Sequence, residues 1–340
     1  GRPELGGSVR WGVTSNLTIA GTANPDFSQV EADATQFSYD PRQAVFFPER
    51  RPFFLESQEQ FTTPNRLIYT RRIAQPVAAS KLTGKYGGFD IGVLSAVDNQ
   101  DASFNQTNSP LYNIVRLQRD LGAQSRMGIA YTDKIDGQRW NRVVGVDGRL
   151  VRGIYNLQGQ VASSFTSSDT GMRRAPLFDV SASRNGRRFV ARYAVNGISP
   201  DFDAQSGFIA RPGIANISAT HRWNFYGKPK ALVELFSPEL YVMGRYQYDS
   251  FVNGDGSQDR QLHLRANTRL KRGWQIGTQL LLEVFGYDPS LYANYVMLQP
   301  RSAGRIDTVA YAGTPKIGNR DWVLSIGTPE FRRFSYSGFG

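Results

Sequence analysis

The sequence predicts an all-β fold, namely an antiparallel up-and-down transmembrane β-barrel of about sixteen strands. Three observations predict it: side chains alternate in polarity with a period of two, glycine-rich turns separate the alternating runs, and one face of the runs is strongly polar. Residues 1–340 are expected to form a single barrel domain of a longer protein. An irregular segment near residues 25–66 is expected to fold inward as a plug or constriction.

Residues 261–271 show the alternation most clearly. Leucine, alanine and threonine occupy the even-numbered positions, and the odd-numbered positions carry Gln261, His263, Arg265, Asn267, Arg269 and Lys271. Successive side chains of a strand point to opposite faces, whereas a helix would mix the two kinds around its surface. The row formed by His263, Arg265, Asn267 and Arg269 is therefore predicted to line a polar lumen. Similar alternation occurs in residues 17–24, 156–165, 188–196, 239–249 and 274–284.

Turn signals separate these runs and predict antiparallel hairpins. They occur at Gly87–Gly88, Asp136–Gly137, Asn185–Gly186, residues 253–256 and Arg272–Gly273. Several runs have about ten residues, the length that a tilted membrane-spanning strand needs. A membrane-spanning helix would need about 18 or more apolar residues, and the most apolar stretch, residues 280–285, contains a glutamate.

The apolar faces are rich in glycine, alanine and threonine, and aromatic residues such as Trp11, Trp223 and Trp274 fall near strand ends. Aromatic girdles at the two membrane interfaces have this appearance. A soluble all-β carbohydrate-binding domain also alternates in polarity and stays open as an alternative.

The formal net charge is +11, and the chain contains no cysteine. The basic residues are scattered along the chain, which favours arginines lining a polar lumen or facing anionic headgroups over nucleic-acid binding. Strand pairing and burial must hold the fold together without disulfides. The chain opens at Gly1 without a visible signal peptide and is expected to be a mature form or a fragment.

The segment 25–66 is too long for an ordinary hairpin loop, and it carries two phenylalanine pairs beside a charged cluster. Candidates for ion pairing or ligand binding in and near it are Asp26, Glu31, Asp33, Glu49, Arg50, Arg51, Glu56, Arg71 and Arg72. We favour a folded plug in which carboxylates pair with arginines. A hard-cation site at the first three acids and stacking of sugar rings on the phenylalanines are the weaker alternatives. No metal and no cofactor is predicted.

The two histidines, His221 and His263, give no catalytic pattern. Ser218 lies three positions before His221 and so on the opposite face of a strand, which argues against a nucleophile–base pair. A lumen histidine, with His263 as the candidate, is favoured over a catalytic one, and no catalytic residue is predicted. A hydrolase acting on glycan or lipid stays open because cross-strand neighbours cannot be read from sequence.

Four ordered motifs resemble one known family. Residues 24–33 read NPDFSQVEAD, residues 46–56 read FFPERRPFFLE, residues 69–73 read YTRRI and residues 81–85 read KLTGK. They are similar to bacterial outer-membrane proteins in which a β-barrel of unknown function (domain of unknown function family 5916) follows a carbohydrate-binding family 9-like module. That module is absent from this chain.

The resemblance implies a location in the outer membrane of a diderm bacterium. It also implies a non-enzymatic, porin-like barrel that anchors or serves a carbohydrate-binding or uptake assembly. The expected partners are outer-membrane lipid and lipopolysaccharide, with a carbohydrate as candidate ligand and no nucleic acid. A basic lumen would form a pore that favours anions.

Overall fold

A computed structural model describes residues 6–25, 44–169, 171–286, 294–301, 304–310, 316–329 and 337–339. The chain divides into two compact units. The first unit comprises residues 1–151, 157–180 and 197–213, and the second comprises residues 152–156, 181–196 and 214–340.

Strands that lie mostly in the first unit are β1 (Gly7–Thr14), β2 (Leu17–Ala23), β3 (Pro76–Tyr86), β4 (Phe89–Asp98), β5 (Leu111–Asp120), β6 (Arg126–Asp136), β7 (Arg139–Arg152), β8 (Tyr155–Ser168) and β9 (Gly171–Asn185). Consecutive strands from β1 to β7 pair antiparallel. Between β2 and β3 lie the short helix α1 (Pro52–Leu55) and two 3₁₀ turns, Gln58–Phe61 and Thr70–Arg72; a third, Gln100–Ala102, follows β4.

Strands that lie mostly in the second unit are β10 (Phe189–Ile198), β11 (Ile214–Trp223), β12 (Phe225–Tyr226), β13 (Val233–Gln247), β14 (Asp259–Leu270), β15 (Gln275–Phe285), β16 (Val296–Pro300), β17 (Ile306–Ala310), β18 (Ile317–Gly327) and β19 (Ser337–Phe339). Helix α2 (Tyr248–Asn253) follows β13, and the 3₁₀ turn Lys271–Gly273 follows β14. The pairs β13–β14, β14–β15, β15–β18 and β18–β19 are antiparallel.

Seventeen of these strands belong to one sheet, and β16 pairs with β17 in a separate hairpin. Strands β11 and β12 both pair with β13, so they occupy a single position in the sheet. The predicted all-β, antiparallel up-and-down fold of about sixteen strands is confirmed. No helix among the described residues is long and apolar enough to cross a membrane.

The two faces of the first unit's sheet differ in exposure: one face is buried and carries polar and apolar side chains together, and the other exposes large apolar side chains. On one face of β6 to β8, Asn141 is 0% and Gln160 is 2% exposed. On the other face, Ile129, Val146 and Val161 are 53%, 43% and 54% exposed. Contiguous exposed apolar side chains mark a surface that meets a partner or a membrane.

Strand β14 shows the same pattern in the second unit, where Leu264 is 45% and His263 is 7% exposed. Two strand boundaries differ from the prediction. The strand predicted to run over residues 239–249 ends at Gln247, and Tyr248 begins α2. This helix is capped by Gly254, which has a left-handed conformation with φ +79°. Residues 271–274 form a turn because Arg272 and Gly273 both adopt positive φ.

Candidate functional site

The irregular segment is described from Ala44, and it continues to Gln75 beyond the predicted end at residue 66. We call residues 44–75 the inserted segment. Its core residues Phe54, Phe61, Leu67 and Ile73 are 5% exposed or less and pack with side chains of strands β3 to β9. The proline at the first position of α1 suits a helix start, and the helix lasts only one turn.

Strand glycines make room for two of these side chains. A Cβ atom at Gly92 of β4 would lie 3.0 Å from Cε1 of Phe61, and one at Gly145 of β7 would lie 2.6 Å from Cδ1 of Leu67. A larger residue at either position would collide with the inserted segment. The sheet is therefore shaped to receive it.

A buried ion pair lies at the centre of the inserted segment. Arg51 donates from Nε to Oε1 of Glu49 at 2.8 Å and from Nη2 to Oε2 at 2.7 Å, and Thr70 donates to Oε2 at 2.7 Å. Burial opposes ionisation of Glu49, but the hydrogen bonds from Arg51 and Thr70 outweigh it and hold the pKa of Glu49 below its ordinary value. The carboxylate is therefore ionised at neutral pH.

The same guanidinium joins the two ends of the inserted segment. Arg51 donates to the carbonyl oxygen of Thr70 at 2.9 Å and to that of Ile73 at 2.6 Å. Its Cζ lies 4.3 Å from the centroid of the Phe54 ring. These contacts fold the segment into a closed loop, because residues about twenty positions apart share one cation.

Lys81 of β3 binds the inserted segment to the sheet, and sequence reasoning missed it. Its Nζ donates to the carbonyl oxygens of Phe53 at 2.6 Å and Glu56 at 2.7 Å, and it lies 3.4 Å from the Glu56 carboxylate. Lys81 is 3% exposed, whereas Glu56 also pairs with Arg10 at the surface. The sequence did contain a signal for a buried Lys81. This residue shares a strand face with Ala79 and Thr83, where the alternation predicts buried side chains.

Asp98, at the end of β4, binds the other end of the inserted segment and was also missed. It is fully buried and accepts hydrogen bonds from the backbone N–H groups of Ala74 at 2.8 Å, Gln75 at 2.6 Å and Asn99 at 3.1 Å. Its carboxylate thus satisfies backbone donors where the segment enters β3.

The tip of the inserted segment contacts polar side chains of β8 and β9. The backbone N–H of Asn65 donates to Gln160 Oε1 at 2.8 Å, and its side-chain amide donates to Asp179 at 3.1 Å. Strands β5 and β7 lie on either side of β6. Across them, Arg116 of β5 and Asp147 of β7 form a bidentate buried pair at 2.5 and 2.9 Å.

The other predicted residues of this cluster have different positions. Asp26, Glu31 and Asp33 lie outside the described residues. Arg50 is half-buried, and its backbone N–H donates to Glu49. Arg71 donates to the carbonyl oxygen of Pro48 at 3.3 Å, and Arg72 donates to that of Gly207 at 3.0 Å. Ion pairs in this cluster join Glu49 with Arg51, and Glu56 with Lys81 and Arg10.

In the second unit, the predicted lumen row lies on one face of β14. His263 Nε2 lies 2.7 Å from Glu283, and its Nδ1 lies 3.0 Å from Nη2 of Arg265, which also pairs with Glu239 at 3.1 Å. The cross-strand neighbours of His263 are Tyr241 and Leu281. Both ring nitrogens are engaged, and neither has a hydroxyl nucleophile as partner.

Asn267 and Arg269 continue this row, and both are exposed. Their side chains make no hydrogen bond, ion pair or ring contact in the part of the chain that the structure describes. They therefore differ from Arg265, whose charge is compensated by Glu239.

The environment of His221 differs from that of His263. Its cross-strand partner is Leu240, which in turn pairs with Leu264 on the exposed apolar face. There the ring packs among aromatic neighbours, and Nε2 lies 2.7 Å from the Tyr193 hydroxyl. An interfacial aromatic cluster gives a polar ring atom a partner within an apolar surface, which explains the position.

Among the described residues, no group of three or more histidines and acids is placed to hold a metal ion. The fold and the site together define an all-β protein whose inserted segment packs onto the buried face of an up-and-down sheet.

Residues 2–86 match the family described as Domain of unknown function (DUF5916), which confirms the resemblance drawn from the motifs between residues 24 and 85. No curated protein matches the sequence at a significant level. Among solved structures, the crystal structure of Pseudomonas aeruginosa OccK11 (OpdR) is similar at 13% identity, with a TM-score of 0.33, over 91% of this chain and 83% of that one. The fold assignment rests on the strand pairing of this chain itself.

Proposed function

We propose that this chain is a non-enzymatic outer-membrane β-barrel whose polar face lines a lumen and whose inserted segment restricts passage through it. In this role the exposed apolar face contacts lipid. The barrel serves a carbohydrate-binding or uptake assembly, a part of the proposal that rests on the family resemblance alone.

Exposure of large apolar side chains on one face, together with burial of polar and charged side chains on the other, carries the proposal. Apolar side chains such as Ile129 and Val161 are exposed, while Asn141, Gln160 and the Arg116–Asp147 pair are buried on the opposite face. Lipid hydrocarbon favours contact with exposed apolar side chains, and a polar lumen favours the polar and charged side chains of the opposite face. Leu94, Ile114 and Val143 are also buried on the inner face, where they pack with the inserted segment, so the exposed apolar face is the feature that a soluble sandwich would not share.

The inserted segment supports a restricted lumen. It packs on the buried face and is held there at Lys81 and Asp98, so it occupies space that an open channel would leave to water. The net charge of +11 and the uncompensated Arg269 support a preference for anions. The engaged nitrogens of His263 argue against a barrel hydrolase that would use this histidine as its base.

Conductance tests the proposal. The full chain, purified in detergent and reconstituted in planar bilayers, is expected to give small, rare current steps, with a reversal potential in a KCl gradient that indicates anion preference. Lys81→Met is expected to make the steps larger or more frequent by loosening the inserted segment. Absence of steps for both proteins, where a known porin conducts, would contradict the pore. A chain that stays monodisperse without detergent would contradict the membrane location.

A further inference from the structure

A recess of about 430 Å³ lies in the sheet of the second unit, where β13, β14, β15 and β18 run side by side. Its lining includes Ser237, Asn267, Arg269, Gln275, Gly277 and Ser325. The volume falls in the range of roughly 300–1,000 Å³ that is typical of small-molecule sites. Half of the lining residues have side chains that can donate or accept hydrogen bonds, and the others include Leu235, Ile276 and Ile326.

Strand register explains why the recess is open. Ser237 lies opposite Asn267, Asn267 opposite Gly277, and Gly277 opposite Ser325, so small side chains form one row across four strands. A Cβ atom at Gly277 would lie 2.4 Å from Ser325 Oγ and 3.0 Å from Asn267 Oδ1. Any side chain at this position would therefore begin to fill the recess.

Three polar side chains of the recess have their hydrogen-bonding groups available. Asn267 and Arg269 are exposed and bind no other side chain of the described residues, and Gln275, which lies opposite Arg269, is likewise exposed without a partner among them. In contrast, Arg265 on the same face is neutralised by Glu239. Arg269 therefore presents a guanidinium fork that a carboxylate can bind in bidentate geometry.

The neighbouring turns make the surroundings of the recess basic. Lys271 and Arg272 follow directly after β14, and the backbone N–H of Lys271 donates to Leu232 at 2.8 Å, which places the turn before β13 beside them. That turn carries Lys228 and Lys230. Glu234 is the one acidic residue of residues 227–234 and 270–275, so these stretches have an excess of positive charge.

We propose that this recess binds a small hydroxylated anion of the sugar-acid class. Arg269 binds the carboxylate, while Asn267, Gln275 and Ser325 exchange hydrogen bonds with the hydroxyl groups. The inference rests on the proposed function for one point, that solutes reach the polar face through the lumen.

Calorimetric titration of the full chain in detergent tests the site with D-glucuronate as the probe. D-glucose, which lacks the carboxylate, and inorganic sulfate, which lacks the sugar hydroxyls, are the comparison ligands. Glucuronate is expected to bind more tightly than either. Arg269→Gln is expected to weaken glucuronate binding roughly tenfold or more, because it removes charge-assisted hydrogen bonds.

Arg260→Gln is the matched control, since Arg260 is an exposed arginine on the opposite face of the same strand. It is expected to leave the affinity unchanged. Gly277→Val is a second variant, which fills the recess and should abolish binding without removing a charge.

The site is overturned if glucuronate gives no heat at millimolar concentration, if glucose binds equally well, or if the Arg269 and Arg260 variants behave alike. These outcomes are separate from a failure of the proposed function, because conductance decides that. A barrel that conducts but does not bind glucuronate contradicts the site alone.

Discussion

Replacing Lys81 with methionine removes the buried cation that binds the inserted segment to β3. Methionine keeps most of the side-chain volume, so the apolar contact with the Phe53 ring, whose centroid lies 4.9 Å from Nζ, is largely preserved. The carbonyl oxygens of Phe53 and Glu56 lose their donor. Lys81→Met therefore separates the loss of hydrogen bonding from the loss of packing.

The loss of local stability follows from the two carbonyl groups, those of Phe53 and Glu56, that are left without a donor. An unsatisfied buried acceptor costs about 1–3 kcal/mol, and removal of the buried ammonium returns part of its desolvation penalty. We therefore expect the inserted segment to lose about 3 kcal/mol of local stability, which is roughly a hundredfold increase in its detached population.

Hydrogen exchange followed by mass spectrometry measures this change. Peptides that cover residues 51–62 should exchange faster in Lys81→Met, while peptides from β13 to β15 should be unaffected. Lys85→Met is the matched control, because Lys85 lies in the same strand but pairs at the surface with Asp90 and Asp120. Equal exchange in the two variants would refute the assignment of Lys81 as an anchor.

Three further predictions concern the first unit. Gly145→Val should lower the stability of the inserted segment by about 1–3 kcal/mol in the same exchange assay, because its side chain would collide with Leu67. Arg116→Met should lower the free energy of unfolding in urea by about 3–5 kcal/mol, because it leaves Asp147 buried without its partner. Because the folded state lowers the pKa of Glu49, the stabilising contribution of its carboxylate is complete above the ordinary value of 4.5 and is lost as pH falls through the lowered pKa of the folded state.

A different result would contradict each of these predictions. Gly148→Val adds the same side chain on the exposed face of β7, so destabilisation as large as in Gly145→Val would refute the collision with Leu67. An unchanged free energy of unfolding in Arg116→Met would show that the pair of Arg116 and Asp147 contributes nothing to stability. A Glu49→Gln variant should lose the acid dependence of segment exchange, and persistence of that dependence would assign it to another carboxylate.

The sheet could be predicted because the patterns that specify its strands and turns lie within short stretches of sequence. Alternation in residues 261–271 and the glycine turns depend on neighbours in sequence, and both correspond to strands and turns of the structure. The boundary errors occur where a single residue ends a strand, as at Gln247, where α2 begins and a glycine in the left-handed region closes it.

The contacts of the inserted segment could be predicted only in part. The pair of Glu49 and Arg51 lies within three residues, so the motif itself indicated it. Lys81 and Asp98 lie 23 to 28 residues from the groups they bind, and no local pattern specifies such partners. The surroundings of His221 could not be predicted for a related reason, since its aromatic neighbours come from β10 as well as β11.

Cysteine labelling tests most directly the central claim that one sheet face meets lipid and the other meets water. The chain contains no cysteine, so Leu264→Cys and Asn267→Cys each introduce a single thiol on opposite faces of β14. In reconstituted bilayers, a water-soluble, membrane-impermeant maleimide is predicted to modify Asn267→Cys, and a lipid-soluble maleimide is predicted to modify Leu264→Cys. Equal reaction of both thiols with the water-soluble reagent would contradict the membrane-spanning barrel.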